Sequence, residues 1–192
     1  MGHSQADKLV THQRIIDVAA KRFREVGLEG ISVADIMTEA GLTVGGFYKH
    51  FESRDDLVVE ALAAALSDLD RWEITHRSNI RKAIRSYLSE AHRDALSESC
   101  ALSALANDVS RSSEAARDTY TSRLKRVFEF FEKALPAELG ESKRPRAMLL
   151  FSACVGALGL SRTVSDPKLS KQILDNVADE LVGLYATQHA RT

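Results

Sequence analysis

Ile31-Ser-Val-Ala-Asp-Ile-Met-Thr-Glu-Ala-Gly-Leu-Thr-Val-Gly-Gly-Phe-Tyr-Lys-His-Phe51 is the stretch on which the fold turns. Ser32 to Asp35 has the spacing of a capping box, with Asp35 in place of the usual Glu, so a short helix opens there. Val33, Ile36, Met37 and Ala40 share one face, and Gly41 supplies the left-handed residue that ends it. Thr43 then caps a second, very short helix running through His50. Two short helices around a glycine turn have the layout of a helix-turn-helix, whose second helix must protrude into a major groove about 12 Å wide. Phe47 and Phe51 anchor that helix inward, which leaves Thr43, Val44, Gly45, Gly46, Tyr48, Lys49 and His50 on the outer side. Tyr48 and His50 suit hydrogen bonds to phosphate, Lys49 suits a base edge, and Thr43 at the helix start adds backbone N–H donors for an anion. Gly45 and Gly46 each cost a helix about 1 kcal/mol relative to Ala. They read either as a loose loop or as missing side chains that let the backbone approach base edges.

Working outward, a first helix is expected after Thr11, with Ile15, Ile16, Ala19, Ala20 and Phe23 on its inner face and Gly27 as its stop. Downstream, Ser53-Arg-Asp-Asp56 is a second capping box. It opens a long helix with apolar residues at 57, 58, 61, 62, 65, 66, 69 and 72. Arg54, in its first turn, is placed to reach a phosphate. Beyond Arg77, helical segments are expected over Ser78–Leu96, Ala101–Val109, Ser113–Leu135, Lys143–Val164 and Lys168–Thr187, with Pro136 and Asp166-Pro167 as punctuation. β-branched alternation is almost absent. The fold class is therefore all-α, about nine helices. Residues 1–53 form a three-helix helix-turn-helix unit, and a long helix joins it to a larger helical part, the whole of 54–192.

The composition narrows the function classes. The chain has 192 residues, 44% apolar and 28% charged, which excludes a disordered or low-complexity chain. Its longest uncharged apolar run, Ala147–Leu160, is too short to span a bilayer. Met1-Gly-His-Ser-Gln5 lacks the basic and apolar regions of a signal peptide, so a cytoplasmic location and no membrane partner are expected. No Cys/His spacing suits a metal, and no phosphate loop, zinc-protease or nucleophile-elbow motif occurs, so neither a metal, a cofactor nor an enzyme is expected.

Arg14-Ile-Ile-Asp-Val-Ala-Ala-Lys-Arg-Phe-Arg-Glu-Val-Gly27, then Ile31-Ser-Val-Ala-Asp-Ile36, Ala40-Gly-Leu-Thr-Val-Gly-Gly-Phe-Tyr-Lys-His-Phe51 and Ser53-Arg-Asp-Asp-Leu57, together resemble the N-terminal domain of TetR/AcrR-family transcriptional regulators. The likeness covers about residues 10–62, and the Phe-Tyr-x-His-Phe end of the second helix is its most specific part. The resemblance implies a homodimeric repressor that binds a palindromic operator in double-stranded DNA. A small-molecule effector in its C-terminal helices would move the DNA-reading heads apart. Carried over by position, it implies DNA contacts by Thr43, Gly45, Gly46, Tyr48, Lys49, His50 and Arg54, and by Ser32 at the start of the second helix. Val44 departs from the polar residue often found there, so methyl contacts and DNA shape take a larger share of the specificity.

In the C-terminal part the resemblance implies architecture rather than a ligand. The last two helices would pack on their symmetry mates as a four-helix bundle. Small residues Ala153, Gly156, Ala157 and Gly159 and the stripe Leu169, Ile173, Val177, Leu181 and Leu184 are compatible with that; Leu160 is assigned to the same interface. An effector pocket, largely apolar, is assigned to Trp72, Tyr87, His92, Tyr120, Leu124, Phe128, Phe131 and Phe151. The stripe on 120–135 reads equally as ordinary core, and His76, His92 and Asn107 read first as solvated surface residues. Cys100, just before a helix start, allows an alternative in which an activated thiol senses oxidants or electrophiles; the other reading is a small packed residue, as for Cys154. A helical enzyme is the remaining alternative.

The formal charge is −1, and residues 1–51 hold six Lys or Arg against six Asp or Glu. No acid lies between Ala40 and Phe51, so charge balance limits how many phosphates each head neutralises rather than excluding DNA.

Overall fold

A computed structural model describes residues 5–136 and 143–186. Met1 to Ser4, on which the targeting expectation partly rests, and Thr187, the expected end of the last helix, lie outside them. Among the described residues there are ten α-helices, two 3-10 helices and no strand. The all-α expectation holds, and helix breaks account for the larger number of elements.

The first helix, α1 (Gln5–Val26), begins well before the expected start after Thr11. Ala6, Lys8 and Leu9 are good helix formers, and Asp7 in the first turn suits the positive end of the helix dipole. Gly27 at φ +81° turns the chain out of it. The next helix, α2 (Val33–Glu39), starts with the Ser32 hydroxyl accepting from the Asp35 amide at 3.1 Å. Asp35 closes this motif on the Ser32 hydroxyl, at 2.5 Å. Gly41 at φ +71° ends it. Residues Val44–Lys49 then form a 3-10 helix, and the long α3 (Arg54–His76) follows. Its capping box is complete: the Asp56 amide donates to Ser53 Oγ at 3.1 Å, and the Ser53 amide donates to the Asp56 carboxylate at 2.9 Å.

The segment expected as one helix over Ser78–Leu96 is divided into α4 (Ile80–Tyr87), α5 (Glu90–Asp94) and a 3-10 turn at Leu96–Glu98. Ser89 causes the break by capping the amide of His92 at 3.1 Å while donating to the Ser86 carbonyl at 2.9 Å. The expected 101–109 helix likewise divides at Leu105 into α6 (Ala101–Ala104) and α7 (Ala106–Val109). Three long helices complete the chain: α8 (Glu114–Ala134), α9 (Arg144–Thr163) and α10 (Pro167–Ala186). Asp166 caps α10 through the Lys168 amide at 2.8 Å, with Pro167 in the first helical position.

The described chain packs as two compact units. One contains the residues up to Asp68 together with Cys100–Thr121, so α6 and α7 return to the N-terminal helices. In it α1 packs on α2 and α6, and α2 on the 44–49 helix. Ile15, Ile16, Phe23, Ile36, Met37, Phe47, Phe51 and Leu57 are buried there, each worth about 1.5–3 kcal/mol by transfer from water.

The second unit contains Leu69–Ser99 and the residues from Ser122 onward. Its centre is the helical pair α9 and α10, joined by a short connection, with α4 packed on both. Buried polar groups here are satisfied locally: Ser170 Oγ donates to the Ser161 carbonyl at 2.6 Å, and Ser161 Oγ to that of Leu158 at 2.8 Å. Arg123 is buried too, paired with Glu73 at 2.8 Å and Asp70 at 3.3 Å. No helix among the described residues is long and apolar enough to cross a membrane.

Candidate nucleic-acid interface

The 44–49 helix is a 3-10 helix because its glycines give little α-helical drive and its bonds close at i+3. The Gly46 amide donates to the Thr43 carbonyl at 3.0 Å, and that of His50 to Phe47 at 2.8 Å. Phe47 is 1% exposed and stacks on Phe51 at 5.3 Å, with Phe51 stacked in turn on His12 at 4.5 Å. This anchored inner face fixes what remains outside. Tyr48 is 77% exposed, held edge-on to Phe47 at 5.3 Å, and Lys49, Val44, Gly45 and Thr43 are exposed beside it.

The two glycines are not a loose loop, since they sit in regular structure. A Cβ at Gly45 would meet nothing within 4 Å, and one at Gly46 only Met37 Cε at 3.7 Å and Thr43 Oγ1 at 3.9 Å. The fold therefore does not need either glycine. What their missing side chains leave clear is space on the outer face.

Thr43 occupies the cap position but its side chain makes no capping hydrogen bond. Ser32 is exposed and already bonded to Asp35. His50 is half-buried, and its pKa lies below the usual histidine range. Desolvation is the main cause, followed by the charges of His12, Lys8 and Lys49. It can share a hydrogen bond at neutral pH but adds little charge. Arg54 differs from the expectation of a free phosphate ligand. Its guanidinium donates to the Leu28 carbonyl and to the Glu29 carboxylate at 2.9 Å, which ties the start of α3 to the loop between α1 and α2.

Two residues were missed from sequence. Lys8 and Arg14, on α1, line a groove of about 660 Å³ together with Thr43, Gly46, Lys49 and His50. With α1 expected only after Thr11, Lys8 had no helix to sit on; the good helix formers around it were the available signal.

In the C-terminal unit, six of the residues assigned to an effector pocket come together. Trp72 meets Tyr87 at 6.0 Å and Phe131 at 6.3 Å, Phe151 meets Tyr87, Phe128 and Phe131 at 5.6–6.3 Å, and His92 lies edge-on to Tyr87 at 4.8 Å. Leu124 is half-buried on α8. Tyr120 is not part of the cluster's unit: it packs in the N-terminal one, its hydroxyl donating to the Leu102 carbonyl at 2.6 Å and its pKa pushed up to about 12, mainly by burial. His76 and His92 are not solvated, contrary to expectation. His76 is buried, stacked on Trp72 at 4.6 Å and bonded to its carbonyl. His92 bonds the Tyr87 carbonyl at 2.7 Å, and desolvation lowers its pKa. Asn107 is exposed as expected.

Of the residues assigned to a dimer interface, Gly156, Leu160 and Leu169 are exposed and Ala153, Ile173 and Val177 half-buried. Leu181 differs, at 4% exposure inside its own chain. Cys100 is 7% exposed at the start of a four-residue helix, away from the accessible environments in which reactive thiols occur. No group of three or more metal-ligating side chains occurs among the described residues.

A family model described as bacterial regulatory proteins, tetR family, matches residues 15–61. The HTH-type transcriptional repressor KstR2 of Rhodococcus jostii is 42% identical over 55 residues, 29% of this chain and 27% of that protein. The chain thus matches well under a third of that relative's length. Solved structures extend the likeness in fold. A TetR-family transcriptional regulator from Agrobacterium tumefaciens covers 93% of this chain and 98% of its own, with TM-score 0.75 and 16% identity. AibR in complex with isovaleryl coenzyme A and operator DNA covers 89% and 97%, with TM-score 0.63 and 18% identity. Through its helix-turn-helix, residues 15–61, the chain belongs to the tetR family of bacterial regulatory proteins.

Proposed function

We propose that the protein is a DNA-binding transcriptional regulator, a homodimeric repressor that reads a palindromic operator and is released by a small-molecule effector. The observation that carries the reading is the 44–49 helix, anchored by buried Phe47 and Phe51 and presenting Tyr48, Lys49 and two glycines to solvent. Functional roles divide at residues 1–53 for DNA and 54–192 for effector and dimer, a division that cuts across the packing unit containing Cys100–Thr121. Two heads tethered in one dimer gain avidity that compensates for few phosphate contacts per head. The matched relatives are regulators, and the reading is of a regulator rather than an enzyme.

Two further observations support the finer parts. Leu149, Leu160, Leu169 and Leu184 are exposed large apolar residues on α9 and α10, with the small Gly156 among them, which is the surface a four-helix bundle between two copies would cover. The aromatic cluster around Trp72 and Phe151 suits an effector with an apolar part, and His92, held largely neutral, supplies one polar group beside it.

Selection of bound duplexes from a randomised DNA library tests the reading. Enrichment of a two-fold symmetric site is expected; no enrichment of any sequence would overturn operator recognition.

A further inference from the structure

We propose that the groove between the start of α1 and the 44–49 helix seats a phosphate of the DNA backbone, with Lys8, Arg14 and Lys49 as its cations. The proposal rests on the reading of 44–49 as the DNA-reading helix and adds α1, which that reading does not use. The groove is open, about 660 Å³, and lies beside the reading helix, so a strand held in it runs past residues 44–49.

Its charges are available. Other arginines of the same unit are committed: Arg22 to Glu25 at 2.5 Å, Arg24 to Asp68 at 2.6 Å and Arg54 to Glu29 at 2.9 Å. Lys8, Arg14 and Lys49 are exposed, and none has an ion-pair partner among the described residues. One carboxylate, Asp7, also lines the groove, so the three cations leave a net positive lining. The hydroxyls of Thr11 and Thr43 add neutral donors. Hydrogen-bond donors and cations without base-shaped complementarity are what backbone positioning requires, and they carry no sequence information. The convergence of Lys8, Lys49 and His12 on His50 is felt in the lowered pKa of that histidine, which places these cations within electrostatic reach of one another.

The test uses the full chain and a fluorescein-labelled duplex of arbitrary sequence, titrated by anisotropy over a series of salt concentrations. Wild type is expected to bind with micromolar affinity, and Lys8→Ala with Arg14→Ala to bind about tenfold or more weaker on any sequence. The log–log salt slope of the double variant is expected to fall by about 0.9 for each phosphate no longer neutralised. Lys8→Arg with Arg14→Lys is expected to restore both affinity and slope. An alanine double variant with wild-type affinity and slope would overturn the groove while leaving the reading helix standing. Failure of wild type to bind any duplex would overturn both. Inorganic phosphate at matched ionic strength is expected to leave binding unchanged; displacement by it would make the groove a free-anion site and overturn the assignment to DNA.

Discussion

The backbone amide of Leu28 donates to the carboxylate of Asp108 at 3.2 Å, across 80 positions of sequence. The same carboxylate lies where a side chain on Gly27 would grow, 2.9 Å from the position of its Cβ. The turn leaving α1 is thus shaped from both sides, by a left-handed glycine and by an acid from α7.

Gly27→Ala is expected to lower stability by about 1–2 kcal/mol, because φ +81° penalises any Cβ and Asp108 must also give way. Asp108→Ala is expected to cost about 1 kcal/mol for one partly exposed hydrogen bond. The two effects should be non-additive, since Asp108→Ala clears the space that the new methyl at position 27 needs. Denaturation midpoints of the single and double variants measure this. Strict additivity would show that the carboxylate does not crowd the turn.

His92 gives a pH dependence. Burial disfavours its charged form, so its folded pKa lies below the unfolded value near 6.5. Its contribution to stability is therefore present above that unfolded value and is lost as pH falls through the folded one. The slope from this group is at most about 1.4 kcal/mol per pH unit. His92→Gln keeps an amide donor for the Tyr87 carbonyl and should flatten the acid limb of thermal stability below pH 6.5 relative to wild type. An identical acid limb would show that His92 is not held neutral.

The glycines of the reading helix separate folding from function. Nothing within 4 Å meets a Cβ on Gly45. Gly45→Ala should therefore leave the melting temperature unchanged or slightly raised, while DNA affinity falls tenfold or more because the added methyl occupies the approach surface. A variant that melts early would show that the glycine is structural; one that binds as wild type would show that the backbone does not approach the duplex there.

Both cysteines are buried, Cys100 at 7% and Cys154 at 0% exposure. A thiol-reactive chromogenic disulfide should find neither quickly in the native protein and both in denaturant. Rapid native labelling of Cys100, abolished in Cys100→Ser, would return the thiol-sensing alternative.

What the sequence made legible was mostly local. The Ser53–Asp56 box, the Gly27 and Gly41 stops and the Asp166-Pro167 start depend on residues one to four apart, and each sits where its spacing put it. The inward Phe47 and Phe51 followed from helical periodicity for the same reason. What was not legible depends on distant partners. Arg54 looked free for phosphate because its acceptors, Glu29 and Leu28, lie 25 and 26 positions away. His76 and His92 looked solvated because their burial is set by Trp72 and Tyr87 across helix packings. The break at Leu88 is an intermediate case: Ser89 was there to read, but capping by a serine within an amphipathic run is settled by tertiary structure.

The central claim is that residues 44–49 read DNA, and the direct measurement is an anisotropy titration of a duplex enriched from the randomised library. Wild type should bind it, and Tyr48→Ala with Lys49→Ala should abolish binding while circular dichroism and melting stay as in wild type, since both side chains are exposed. Unchanged affinity in that double variant would contradict the assignment of the reading helix.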